Sequence, residues 1–205
     1  MFRILQNNII GNILISFAEK IPYLSLTKAL KLLYLLDEHS VKEIGVPVTW
    51  LEYKVWELGP VAEDIYNEIK YSEKISIYGK VTSLDEFITI KKGANNAKKT
   101  EETYISAKKS FDESEFTEYE LELINSIIEK YGKLNAKELV DLLHKENTLW
   151  SKIVKENNLT EHFKKFNSKS NYTIPFSNLI DNELKEMAYN AAFESLEFEK
   201  ELTAN

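Results

Sequence analysis

The sequence predicts an α+β fold that is predominantly helical: a compact helical domain with a small antiparallel β-hairpin or sheet. Three observations carry this prediction. Apolar residues recur at helical spacing in both halves of the chain. Two segments in the middle alternate apolar and polar residues as strands do, 74–92 and 103–109. Two pairs, Thr117 with Glu120 and Asn135 with Glu138, have the spacing of helix capping boxes.

Taken in order, residues 3–20 repeat apolar positions at Leu5, Ile9, Ile13 and Phe17, and Pro22 stops the pattern. Ser25 is placed to cap a second helix, LTKALKLLYLLDEHS, which is apolar nearly all round until Asp37. A helix of that kind belongs at the centre of a core. GVPVT reads as a turn or short strand. TWLEYKVW alternates Leu51, Tyr53 and Val55 with Glu52 and Lys54, although Thr49 and Glu52 also match a capping box. The alternation favours an extended segment.

WELGPVAEDIYNEI then joins a glycine to a proline in a chain with only six glycines and four prolines. Proline suits the first residue of a helix, where its missing N–H is not needed. Pro60 is therefore expected to open a helix with Glu63 and Asp64 in its first turn and Val61, Ile65 and Ile69 as its stripe. That geometry packs Trp56 close to Val61 and Tyr66.

KISIYGKVTS, EFITIKK and TYISAKK follow as β structure, the last two paired across GANNAKKTEE, a polar loop expected to be mobile. Lysines cluster at 91–109, and carboxylates without a base at 112–122. Such runs are usually solvated faces, and a lysine-bearing strand edge resists unwanted pairing. The alternative is a binding surface with two opposite patches. Helices are expected after Thr117, closed by Gly132, and after Asn135. A polar stretch leads to a last helix near Asp181 that uses Leu184, Met187, Ala188, Ala191 and Leu196. No internal repeat stands out. The 205 residues are expected to form a single domain, with 156–205 as a C-terminal helical extension.

Composition narrows the function. There is no cysteine, which excludes disulfides, a thiolate zinc site and a cysteine nucleophile. No apolar run approaches the ~20 residues of a membrane span, and no signal-peptide pattern opens the chain, so a cytoplasmic protein with no membrane partner is expected. The net charge of −7 argues against nucleic acid as a partner, because phosphate contacts require a basic field. Phosphate-loop and hydrolase motifs are absent. His39, His144 and His162 lie in no metal-binding frame, and no carboxylate pair is singled out by its spacing. No catalytic residue, metal or cofactor is expected. Trp50, Trp56 and Trp150 read as core or boundary residues, and Trp150, if exposed, would be an anchor for a protein partner.

Two blocks of residues then resemble a known family. Lys31, Leu32, Leu33 and Tyr34, the turn residues Gly45 and Pro47, and Tyr53, Trp56, Gly59, Pro60, Val61 and Tyr66 make up the first. Tyr131, Gly132, Leu139, His144 and Trp150 make up the second. Together, over about residues 26–155, they resemble the Panacea domain of SocA-like antitoxins, found in bacterial and phage-associated proteins. Val55 stands where that family usually has alanine, and Leu35 where an aromatic is common. The resemblance implies a non-catalytic antitoxin that neutralises a cognate toxin protein by binding it. It implies that the shared motif is mainly structural. The partner surface is then expected in the 91–110 hairpin, at Lys91, Lys92, Lys98 and Lys99, at Trp150, or in the C-terminal tail. Alternatives are an adaptor that delivers its partner to a protease, an operon-specific regulator and, last, a hydrolase using His144, His39 and nearby carboxylates.

Overall fold

The computed structural model describes residues 4–71, 75–77, 80–95, 100–165 and 168–203. Two helices of the N-terminal part build the centre. The first, α1 (Ile4–Lys20), buries Ile10, Ile13, Leu14, Ile15 and Phe17. The second, α2 (Leu26–Ile44), starts where the Ser25 hydroxyl accepts the Lys28 N–H and ends at Gly45, whose φ of +84° suits a residue without Cβ. Fourteen residues of α2 are buried, so it contacts the fold on every side, as its apolar sequence predicts.

The Gly-Pro dipeptide has a different place from the one expected. β1 (Tyr53–Trp56) and β2 (Gly59–Ala62) form an antiparallel hairpin with Trp56 opposite Gly59. Pro60 therefore lies within a strand, and α3 (Glu63–Tyr71) begins only at Glu63. Glu57 and Leu58 make the turn, and Gly59 follows it at φ +97°. The extended reading of TWLEYKVW holds for Tyr53–Trp56. The Thr49–Glu52 capping box does not form: Thr49 is buried and bonded to Asp37 instead.

Two further hairpins follow, β3 (Ile75–Ile77) with β4 (Lys80–Thr82) and β5 (Ile88–Asn95) with β6 (Thr100–Ala107). The pairing of β5 with β6 was expected, but both strands extend into the polar segment: Gly93 pairs with Glu102 and Asn95 with Thr100. Alternating backbone bonds override composition there. β6 is fixed to the centre by the Ile105 N–H, which donates to the Leu24 carbonyl at 2.8 Å.

Helices α4 (Glu118–Tyr131), α5 (Ala136–Leu143), α6 (Leu149–Glu156) and α7 (Leu159–Lys165) complete the second half. Both expected capping boxes are present, and Gly132 caps α4. The chain then returns to the hairpin. Residues 168–174 run antiparallel to the free edge of β1: the Val55 N–H donates to the Tyr172 carbonyl, and the Ile174 N–H to the Tyr53 carbonyl, both at 2.8 Å. An open edge of β1 is thereby paired within the chain. Phe176 follows into the core, 5.5 Å from the rings of both Tyr34 and Tyr53. The last helix, α8 (Glu183–Thr203), lies against the C-terminal end of α2 and against Trp50.

Candidate functional site

The residues of the first and second sequence blocks converge on the β1–β2 turn. Lys31, from the middle of α2, is 1% exposed and donates its ammonium to the Pro60 carbonyl at 2.7 Å. The hairpin register explains why proline suits that position. Val55, opposite Pro60, directs its N–H and carbonyl away from β2, towards Tyr172 and Ser170. The pair is thus non-hydrogen-bonded, and the polar groups of residue 60 also point outward from the hairpin. An N–H there would lie buried on the Lys31 side. Proline has none, and its carbonyl takes the lysine.

Gly59 is held by the same cluster. A Cβ on it would lie 3.2 Å from the Lys31 Nζ and 3.8 Å from the His144 Nε2. His144, at the end of α5, stacks on Trp150 with ring centroids 3.7 Å apart and 3° between planes. Trp150 in turn donates its indole N–H to the Trp56 carbonyl at 2.9 Å. Trp56 meets Tyr66 edge-to-face at 4.9 Å, the packing expected from the sequence, and Lys169 lies 4.1 Å over its ring. α2, the hairpin, α3, α6 and the C-terminal segment are thereby joined through one set of side chains.

Electrostatics follow from burial. Burial pushes the Lys31 amine down to about 7. His144 is held below its ordinary value, first by burial and then by Lys31. Its Nε2 has no hydrogen-bond partner among the described residues. A second buried set, which sequence reasoning missed, lies six residues further along α2. Asp37 accepts the Thr49 N–H at 2.7 Å, the Thr49 hydroxyl, and the Tyr53 hydroxyl at 2.8 Å. Burial raises its carboxyl to about 6, against the opposing effect of those hydrogen bonds. The available signal was an acid directly after the apolar run of α2.

Of the remaining motif residues, all but the half-buried Gly132 are interior. Leu33 and Val61 are core residues, Pro47 is buried in the loop after Gly45, and Tyr34 lies between Tyr53 and Phe176. Tyr131 bonds His39 through its hydroxyl at 2.9 Å, and the Gly132 carbonyl accepts Lys28. The cluster holds backbone: Lys31 takes the Pro60 carbonyl and Trp150 the Trp56 carbonyl. Among the described residues no group of three or more His, Asp or Glu is placed to hold a metal, and no helix is long and apolar enough to cross a membrane.

The expected partner residues separate. Lys91 and Lys92 are exposed on β5. Lys98 and Lys99 lie outside the described residues. Trp150 is only 8% exposed, so it anchors the interior of this chain and offers little to a partner.

The family model for the SocA-like antitoxin Panacea domain matches residues 30–151, more than half of the chain. The chain belongs to this antitoxin family. The match begins in α2 and ends just after Trp150, so it encloses the whole Lys31–Gly59–His144–Trp150 cluster. The Panacea-matched range leaves out the segment that pairs with β1 and the helix α8. No curated protein and no solved structure matches the chain.

Proposed function

We propose that this Panacea protein neutralises a cognate toxin by direct protein–protein binding, without catalysis. The observation that carries the reading is the inward orientation of the motif in a chain of an antitoxin family. A buried motif shared across a family serves the fold, and recognition is then left to surfaces outside it. The surfaces proposed to meet the toxin are the exposed Lys91–Lys92 stretch of β5 and the C-terminal tail. The chain is read as one domain acting in the cytoplasm.

Co-expression with the neighbouring open reading frame tests the proposal, with growth and co-purification scored together. Rescued growth with a stoichiometric complex is the expected result. A rescue in which the neighbour's abundance falls, without a stable complex, would favour delivery to a protease. No rescue would remove the antitoxin reading.

A further inference from the structure

Helix α8 has two apolar faces, and the fold uses only one. Its inner face carries Tyr189 and Phe193, whose rings lie 5.3 Å and 6.0 Å from Trp50. That docking is anchored further by Lys185, which pairs with Asp181 at 2.9 Å and donates to the Lys42 carbonyl beside Gly45. Trp50 itself sits at φ +53°, a backbone conformation that costs a non-glycine residue about 1–3 kcal/mol. The tertiary structure thus holds α8 in a defined orientation.

The outer face carries Leu184, Met187, Ala191 and Phe198, spaced 3, 4 and 7 residues apart and therefore in one row. Leu184 is 78% exposed, Met187 68% and Phe198 62%. The row spans roughly 21 Å at the usual helical rise. Large apolar side chains aligned in this way mark a contact surface. The charge beside the row selects the partner. Six glutamates and two lysines occur in α8. Helical geometry puts Glu183, Glu186, Glu194, Glu197 and Glu201 along one flank of the apolar row, while Lys185 is turned to the body.

We infer that α8 is a docking helix whose outer row, Leu184–Met187–Ala191–Phe198, enters an apolar groove on a partner protein with a lysine- or arginine-lined rim. This rests on the antitoxin reading, with the toxin as that partner. A second copy of this chain is disfavoured as occupant, because pairing α8 with α8 brings two carboxylate rows together. An anionic lipid surface is disfavoured for the same reason.

The test compares the wild-type chain with Leu184→Ser/Met187→Ser, Phe198→Ser and Glu186→Lys/Glu194→Lys, each co-expressed with the neighbouring toxin gene. All these positions are exposed, so thermal unfolding should stay close to wild type and exclude misfolding. The expected result is a loss of toxin co-purification of at least tenfold for both apolar variants, with lost growth rescue. The charge-reversed variant should bind more weakly by a few-fold at low salt, with a reduced salt dependence. A wild-type complex that all three variants retain would overturn the α8 assignment and leave the antitoxin reading standing. A wild-type dimer that the Leu184→Ser/Met187→Ser variant dissociates would also overturn it. A wild type that neither binds nor neutralises would remove both.

Discussion

Around the β1–β2 hairpin Trp56, Trp150, Tyr34 and Tyr53 face inward, whereas along α8 several large apolar side chains face outward. Trp56, Trp150, Tyr34 and Tyr53 each find a ring, a carbonyl or a carboxylate within the chain. Leu184, Met187 and Phe198 remain exposed. The first region lies inside the family-matched range and the last helix lies beyond it. On the proposed antitoxin reading, the contrast separates two tasks, folding and binding. A cluster with every element tied to a neighbour cannot change without disturbing the fold, so it suits what relatives hold in common. An outward row on one docked helix can change with little effect on the core, so it suits the proposed contact with a partner.

The comparison can be broken most forcefully at Trp150. Trp150→Ala should destabilise the chain by about 3–5 kcal/mol, since truncating a buried tryptophan opens a cavity. It also leaves the Trp56 carbonyl without its donor and His144 without its stacking partner. Chemical denaturation should show the loss, and toxin protection should fall only as far as the folded protein does. If Trp150→Ala abolished binding while the melt stayed unchanged, the interior would prove to be the recognition site.

Gly59→Ala comes next. A residue with Cβ at φ +97° costs about 1–3 kcal/mol, and the new methyl crowds the Lys31 Nζ. The unfolding midpoint should fall, and the variant should still bind toxin below that midpoint.

Lys31 sharpens the comparison through pH. Its amine titrates near 7 in the folded chain and near 10.5 when unfolded. Between these values the unfolded chain holds a proton that the folded chain does not, so stability rises with pH. Below pH 7 the penalty of burying the charge is present in full. The stability of wild type relative to Lys31→Met should therefore improve steadily from pH 7 to pH 10, as read by urea unfolding at several pH values. A flat difference would mean that the amine stays charged on the Pro60 carbonyl.

The smallest effect is expected on β5. Lys91→Glu/Lys92→Glu changes two exposed residues and should move stability by less than about 0.5 kcal/mol. Toxin association should slow by a few-fold, because charges at the rim of an interface act mainly on the rate of encounter. Association kinetics at two salt concentrations would measure it.

The sequence by itself determined much of the helical framework. The Ser25, Thr117 and Asn135 caps are made within a few residues, and apolar spacing reports which face each helix will bury. Family membership was legible for the same reason, since Tyr34, Gly59, Pro60, His144 and Trp150 keep their spacing along the chain whatever they touch. The tertiary structure alone decided the role of Gly59-Pro60. Proline satisfies a helix start and a non-hydrogen-bonded strand position equally well, and the choice depended on Tyr172, more than a hundred residues away, taking the Val55 N–H. Asp37 and Lys31 were equally hidden, because the partners that justify burying them, Thr49, Tyr53 and Pro60, come from other elements. The pattern of α8 showed where its apolar residues lie, but which of them face outward depended on where Trp50 held the helix. Periodicity places a side chain on its own element, and only the packing of elements determines whether that side is covered.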